Sequence, residues 1–162
     1  MSRKINVLIY AAFILCIALT LATIFGNSTK SVAESKADSN TVVEIVKPII
    51  DPHDKLSESE VSFLVRKSGH FVEYMILGIE CGLFAYYICK KLTLLGVISS
   101  AFFCLLTANL DEFWQSFTGR GSLVSDVLLD LSGAVVGIAI GSFVAYAFKL
   151  LILSRKQKKK SE

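Results

Sequence analysis

Residues 124–153 read VSDVLLDLSGAVVGIAIGSFVAYAFKLLIL, and no charged side chain interrupts positions 131–148. A helix needs ~20 predominantly apolar residues to cross ~30 Å of hydrocarbon, so this segment reads as a membrane span. Gly133, Gly137 and Gly141 recur every fourth residue, with Asp130 and Asp126 on the same stripe one and two turns earlier. That spacing keeps one helix face small and lets a neighbouring helix come close. Packing within one chain is the expected use of the face, in preference to a homodimer, and it aims both aspartates into a bundle rather than at lipid.

Three further segments qualify as spans: 5–25, which carries no charge at all, 69–89 and 92–110. With 53% hydrophobic residues in 162, the chain is too apolar for an ordinary soluble domain. No span alternates with period two between turn signals, which argues against a transmembrane barrel. The expected fold is all-α, a polytopic bundle of four transmembrane helices with both termini cytoplasmic. Its parts are an N-terminal anchor (1–25), an extracytoplasmic loop (26–60), a three-helix membrane domain (61–153) and a basic cytoplasmic tail (154–162).

Lys and Arg bias fixes the orientation. Arg3 and Lys4 precede the first span, Lys90 and Lys91 sit between the second and third, and Arg155, Lys156, Lys158, Lys159 and Lys160 follow the fourth. A four-span chain puts all three clusters on one side, the cytoplasmic one, and leaves the first loop and the 117–123 connection outside. Of fourteen acidic residues only Glu162 then stays inside. The basic tail holds orientation and touches anionic lipid rather than nucleic acid. A start at Ser2-Arg3-Lys4 with small residues at Ser31-Val32-Ala33 also fits a signal peptide, but the first apolar run is longer than the usual h-region of about 7–15 residues, so an uncleaved anchor is preferred. Cys16, Cys81, Cys89 and Cys104 all fall inside spans with no metal-ligand spacing, which indicates small buried hydrophobes and no disulfide framework.

Residues 27–40, NSTKSVAESKADSN, lack apolar periodicity and read as a flexible stalk. Residues 42–50 are apolar enough to lie along the outer interface. Ser57 followed by Glu60 is a capping-box pattern, so a helix starts there and runs into the next span.

The chemistry gathers at one membrane face. Arg66, His70 and Glu73 share a face of the second span, with Lys67 beside them and Tyr74 one turn beyond His70. Asp111, Glu112 and Gln115 close the third span, Arg120 follows, and Asp126 and Asp130 open the fourth. Ionisable groups at such depth are costly and form a functional-site hypothesis. Each also has a plainer use: Arg66 and Lys67 snorkelling to headgroups, His70 as a packing residue, Asp111, Glu112 and Gln115 marking the helix's wet end beside an aromatic belt of Phe113, Trp114 and Phe117, and Asp126 answering the helix dipole. Glu80, near the middle of the second span, is expected to hydrogen-bond to Ser99 or Ser100, with a proton relay as the alternative.

Lys67-x-x-His70-Phe71-x-x-Tyr74, Asp111-Glu112-x-x-Gln115, Arg120, and Asp126 with Gly133 in a small-residue helix resemble the VanZ-like bacterial membrane proteins in order and spacing. The resemblance spans about residues 60–145. Where that family commonly has Asn, this chain has Asp130. The resemblance implies a multi-pass protein of the bacterial cytoplasmic membrane, associated in some members with teicoplanin resistance, and supplies no established reaction.

Two function classes follow. In the first, Arg66, Lys67 and Arg120 engage the phosphates of a membrane lipid, either a lipid-linked wall precursor or another headgroup, or meet a lipoglycopeptide, while the carboxylates hold those cations in place. In the second, His70, Glu73, Asp111, Glu112, Asp126 and Asp130 supply ligands for a divalent metal, or a general acid and base, for hydrolysis of a lipid headgroup. A transporter has little support without broken-helix or repeat signals.

Overall fold

A computed structural model describes residues 3–121 and 123–161, with the side chains of 159–161 excepted. Ser2, Glu162 and the side chains of Lys159 and Lys160, which entered the charge reading, lie outside the described residues. The described residues form five helices: α1 (Arg3–Ser28), α2 (Val32–Ile50), α3 (Glu58–Cys89), α4 (Leu94–Phe117) and α5 (Val124–Ser161). α1, α3, α4 and α5 are each long and apolar enough to cross a membrane. The all-α, four-span fold is therefore the one read from sequence.

The 27–40 stretch is not a flexible stalk. Ser31 starts α2 with a capping box: its hydroxyl accepts from the Glu34 N–H at 3.3 Å, and the Glu34 carboxylate accepts from the Ser31 N–H at 2.8 Å. These bonds hold the Glu34 carboxyl below its usual range. The α3 start repeats the device with Ser57 and Glu60 at the same distances. Between them the Asp51 carboxylate accepts from the Leu56 N–H at 2.6 Å and tightens the link, which keeps Asp51 readily ionised. A buried 2.9 Å hydrogen bond between Ser39 and Ser62 then ties α2 to α3. Ile45 and Ile49 of α2 remain exposed, at a spacing that suits a helix lying in the interface.

α3 and α5 form the tightest seam. A methyl group on Gly133, Gly137 or Gly141 of α5 would overlap the carbonyl of Phe71, Met75 or Ile79, and one on Gly78 of α3 would overlap that of Ala134. The four-residue glycine stripe therefore packs within the chain, as its spacing predicts, with backbones in contact. The small core beside it comprises Ile24, Tyr74, Leu77, Cys81, Cys104, Ala108 and Ala134.

Large apolar side chains elsewhere face outward, among them Leu15, Leu94, Leu95 and Phe143. In α1 only Ile24 and Ser28 are buried, the pattern of a helix bathed in lipid. All four cysteines are free, but only Cys81 and Cys104 are buried; Cys16 and Cys89 are exposed on the apolar surface.

The up-and-down order puts Arg3, Lys4, Lys90, Lys91 and Arg155 at one end of the bundle. There Tyr87 donates to Asn6 at 2.9 Å, and the Lys149 ammonium reaches the Lys90 carbonyl at 3.5 Å. α4 runs on to Phe117 and α5 to Ser161, so Asp111 to Gln115 are helical and the basic tail continues its span. Glu80 meets α1 rather than α4: Thr20 donates to it at 3.0 Å, while the Ser100 hydroxyl bonds to the Gly96 and Cys81 carbonyls.

Candidate functional site

At the opposite end, α3 turns its polar face toward the junction of the other helices. Tyr74 is fully buried, while Arg66, Lys67, His70 and Glu73 are half-buried. Asp111, Glu112 and Gln115 of α4 and Asp130 of α5 are all buried. The eleven residues singled out in the sequence thus lie at one end of the bundle, and the structure sorts them into different tasks.

Lys67 forms an ion pair with Asp126 and stacks its ammonium 5.4 Å from the Phe63 ring centroid. Glu112 accepts the Leu123 N–H at 3.2 Å, which fastens the entry to α5. Glu73 accepts from the Asn27 amide. These three carboxylates and the one ammonium are therefore engaged in holding helices together.

The centre of the site is His70, Asp111 and Asp130. His70 Nδ1 lies 3.8 Å from Asp130 Oδ1 and 4.0 Å from Asp111 Oδ2, and both carboxylates are fully buried. Asp111 accepts the Ser28 hydroxyl through Oδ1 and the Gln115 amide, at 3.2 Å, through Oδ2. The Tyr74 hydroxyl faces Asp111 without reaching hydrogen-bond geometry. Among the described residues His70 Nδ1 and both Asp130 oxygens have no hydrogen-bond partner. Among the described residues this trio is the group with metal-ligand spacing, its donor atoms all within 4.8 Å of one another. Glu73, Glu112 and Asp126, the other three ligands considered from sequence, are not part of it.

Beside His70 opens a cavity of about 280 Å³ under α2, lined by Lys30, Arg66, His70 and Arg120 and also by the acids Asp38 and Glu73. Arg120 Nη2 lies 3.4 Å from His70 Nε2, and Nη1 donates to the Asn27 carbonyl at 3.3 Å. Lys30 is paired with Asp38 at 2.7 Å. Among the described residues neither Arg66 nor Arg120 has a carboxylate within ion-pair distance, and Arg66 Nε is buried with no hydrogen-bond partner. His70 therefore stands between a cavity lined by two guanidiniums that lack a carboxylate partner among the described residues and a buried pair of acids.

A model of the VanZ/LLP1 family matches residues 8–146. The chain belongs to the VanZ/LLP1 family. No curated protein and no solved structure matches it. The matched region starts inside α1 and takes in α2, the two helices that complete the site in this VanZ/LLP1 member.

Asn27, Ser28 and Lys30 were not singled out in the sequence, nor were Asp38 and Ser39 on α2. Asn27 and Ser28 follow an uncharged span and look like an ordinary helix end. The available signal was the Ser31-x-x-Glu34 capping pattern, which announces a second helix returning over the site.

Proposed function

We propose that this VanZ-like membrane protein engages the phosphate-bearing headgroup of a membrane lipid at the outer face of the bacterial cytoplasmic membrane. A lipid-linked wall precursor is the ligand class that would connect this activity to teicoplanin tolerance. One observation carries the reading: Arg66 and Arg120 line one cavity and, among the described residues, neither is ion-paired with a carboxylate. A guanidinium presents a planar fork of donors matched to phosphate oxygens. Lys67, held by Asp126, drops out of the three cations expected from sequence.

Size narrows the ligand. Pockets for drug-sized molecules span ~300–1,000 Å³, and a cavity of about 280 Å³ suits a phosphate with one adjoining unit better than a whole lipoglycopeptide. Teicoplanin tolerance would then follow from what the protein does to envelope lipid, not from capture of the antibiotic.

The test is lipid retention. Wild type purified in mild detergent should carry anionic lipid that mass spectrometry detects, and Arg66→Ala with Arg120→Ala should lose most of it while eluting as the same folded species. Equal retention by the double variant would remove the basis of the reading. In cells, a deletion strain complemented with wild type should tolerate teicoplanin better than one complemented with the double variant, with vancomycin tolerance unchanged.

A second reading, hydrolysis of the headgroup, is favoured by the position of His70 between the cavity and the two buried aspartates. A histidine so placed can move a proton at a bound phosphate ester. Release of a water-soluble headgroup by wild type and not by His70→Ala would establish it.

A further inference from the structure

Asp111 and Asp130 are both fully buried, and among the described residues no cationic side chain is paired with either one except half-buried His70 at the edge of contact distance. Lys67, the nearest ammonium on α3, is committed to Asp126. Arg120 turns its guanidinium to the far side of the imidazole and to the Asn27 carbonyl. Two carboxylates at this depth are expensive unless a proton or a cation neutralises them. Asp130 is the more telling of the two, because neither of its oxygens meets any hydrogen-bond donor.

We infer that His70, Asp111 and Asp130 form a binding site for one divalent cation, with His70 Nδ1 and one oxygen from each aspartate as its protein ligands. Three donor atoms 3.8–4.8 Å apart leave a central position about 2.5 Å or less from each, within the reach of divalent ligation after a small contraction. One divalent ion cancels the two negative charges and leaves the imidazole neutral, so the site carries no net charge inside the bundle. The mixed oxygen and nitrogen donors suit Mn²⁺ or Zn²⁺ better than Mg²⁺, which takes oxygen almost alone.

The supporting contacts are those of a built site. Ser28 and Gln115 orient the Asp111 carboxylate, the role that hydrogen-bonded partners play around a metal ligand. Asp130 sits one turn before Gly133, where α5 meets the α3 backbone, so its position is fixed by the tightest seam in the molecule. A metal on Nδ1 places the imidazole proton on Nε2. Arg120, also a donor, can then no longer bond to that nitrogen and is released toward the cavity. This inference does not depend on the headgroup reading, since it concerns the chain and the ion alone.

The experiment uses the full chain in detergent, stripped with chelator, desalted, and incubated with Mn²⁺ alone or Zn²⁺ alone before bound metal is counted per chain. Wild type should hold about one ion, and Asp111→Asn and Asp130→Asn should each bind at least tenfold more weakly. Gln115→Ala, which removes only an orienting contact, should weaken binding about tenfold. Glu80→Gln, remote from the trio, should bind as wild type does. Pulsed electron paramagnetic resonance of the Mn²⁺ form should show coupling to an imidazole nitrogen that disappears in His70→Ala, and this decides the matter even if an aspartate variant fails to fold. A wild-type protein without stoichiometric ion, or one whose ion survives Asp130→Asn unchanged, overturns the inference and leaves the aspartates neutralised by protons.

Discussion

At the site end of the bundle α1 meets its neighbours through discrete polar bonds: Asn27 to Glu73, Ser28 to Asp111, and the Asn27 carbonyl to Arg120. At the opposite end the same helix meets α3 through rings, with Tyr10 and Phe13 against Phe84 and Tyr87 at centroid distances of 5.4–6.3 Å and one hydrogen bond from Tyr87 to Asn6. Lipid tails are as apolar as the rings, so apolar contact in a membrane gives proximity with little directional preference. Polar bonds fix rotation and depth. The site end is therefore where each helix's register is specified, and the other end only has to keep the helices adjacent. Between the two lies the α3–α5 glycine seam, which serves both ends by bringing backbones together.

The seam offers the largest effect. Gly137→Leu would drive a side chain into the Met75 carbonyl, and overpacking of that kind costs about 3 kcal/mol or more. Most of the protein should fail to elute as a folded species. Gly26→Ala, which meets no atom within 4 Å, should melt within about 0.5 kcal/mol of wild type. A Gly137→Leu protein that melts normally would mean that the seam is not what holds the two ends in line.

The Lys67–Asp126 pair comes next. Its side chains are 24% and 18% exposed, between the surface and buried limits, so Lys67→Met should cost about 1–3 kcal/mol by leaving Asp126 unpaired. Lys67→Met combined with Asp126→Leu should recover much of that loss in a thermal melt. If the single variant is as stable as wild type, the pair is screened by solvent and does not help to hold α5 against α3.

The four spans were legible because length and charge alone decide them. So was the seam, since a glycine every fourth residue has one steric meaning, and so was the clustering of polar residues at one end. α2 was legible only at its start: 27–40 is polar and aperiodic, and the one signal was the Ser31-x-x-Glu34 capping pattern. What ties the helix to α3, Ser39 meeting Ser62, is a tertiary contact that spacing along the chain does not announce. The split among the eleven candidates was hidden for a related reason. Spacing places residues on a helix face, but whether Lys67 reaches Asp126 or a ligand depends on how α5 is rotated against α3. The same limit explains Glu80: depth matching pointed to Ser99 or Ser100, whereas the azimuth of α3 turns it to Thr20 of α1.

A smaller effect tests whether α2 belongs to the polar end. Ser39→Ala removes the buried hydrogen bond with Ser62, worth about 1 kcal/mol, along with the one that its hydroxyl donates to the Lys36 carbonyl within α2, and the loss should stay local. Hydrogen exchange in α2 should accelerate severalfold while protection of α3 and α5 is unchanged. Unaltered exchange in α2 would mean that its capping box and the Asp51 link suffice to hold it over the cavity.

Glu80→Gln should have the smallest effect of all. Glu80 is the ionisable residue that crosses from the polar half of α3 into the apolar half, and its one bond is the 3.0 Å contact from Thr20. A glutamine keeps a carbonyl oxygen in the same place to accept that hydroxyl. It also removes any charge from a depth where an unpaired carboxylate is costly, so the melting temperature should move by less than ~0.5 kcal/mol equivalent and lipid retention should not change. The difference between the ends then holds, with the buried acids and His70 acting at one of them without help from the middle of α3. If Glu80→Gln instead abolishes headgroup retention or metal binding while the fold is intact, a charge in the middle of α3 is coupled to the site, and the apolar half of the bundle is part of the machinery.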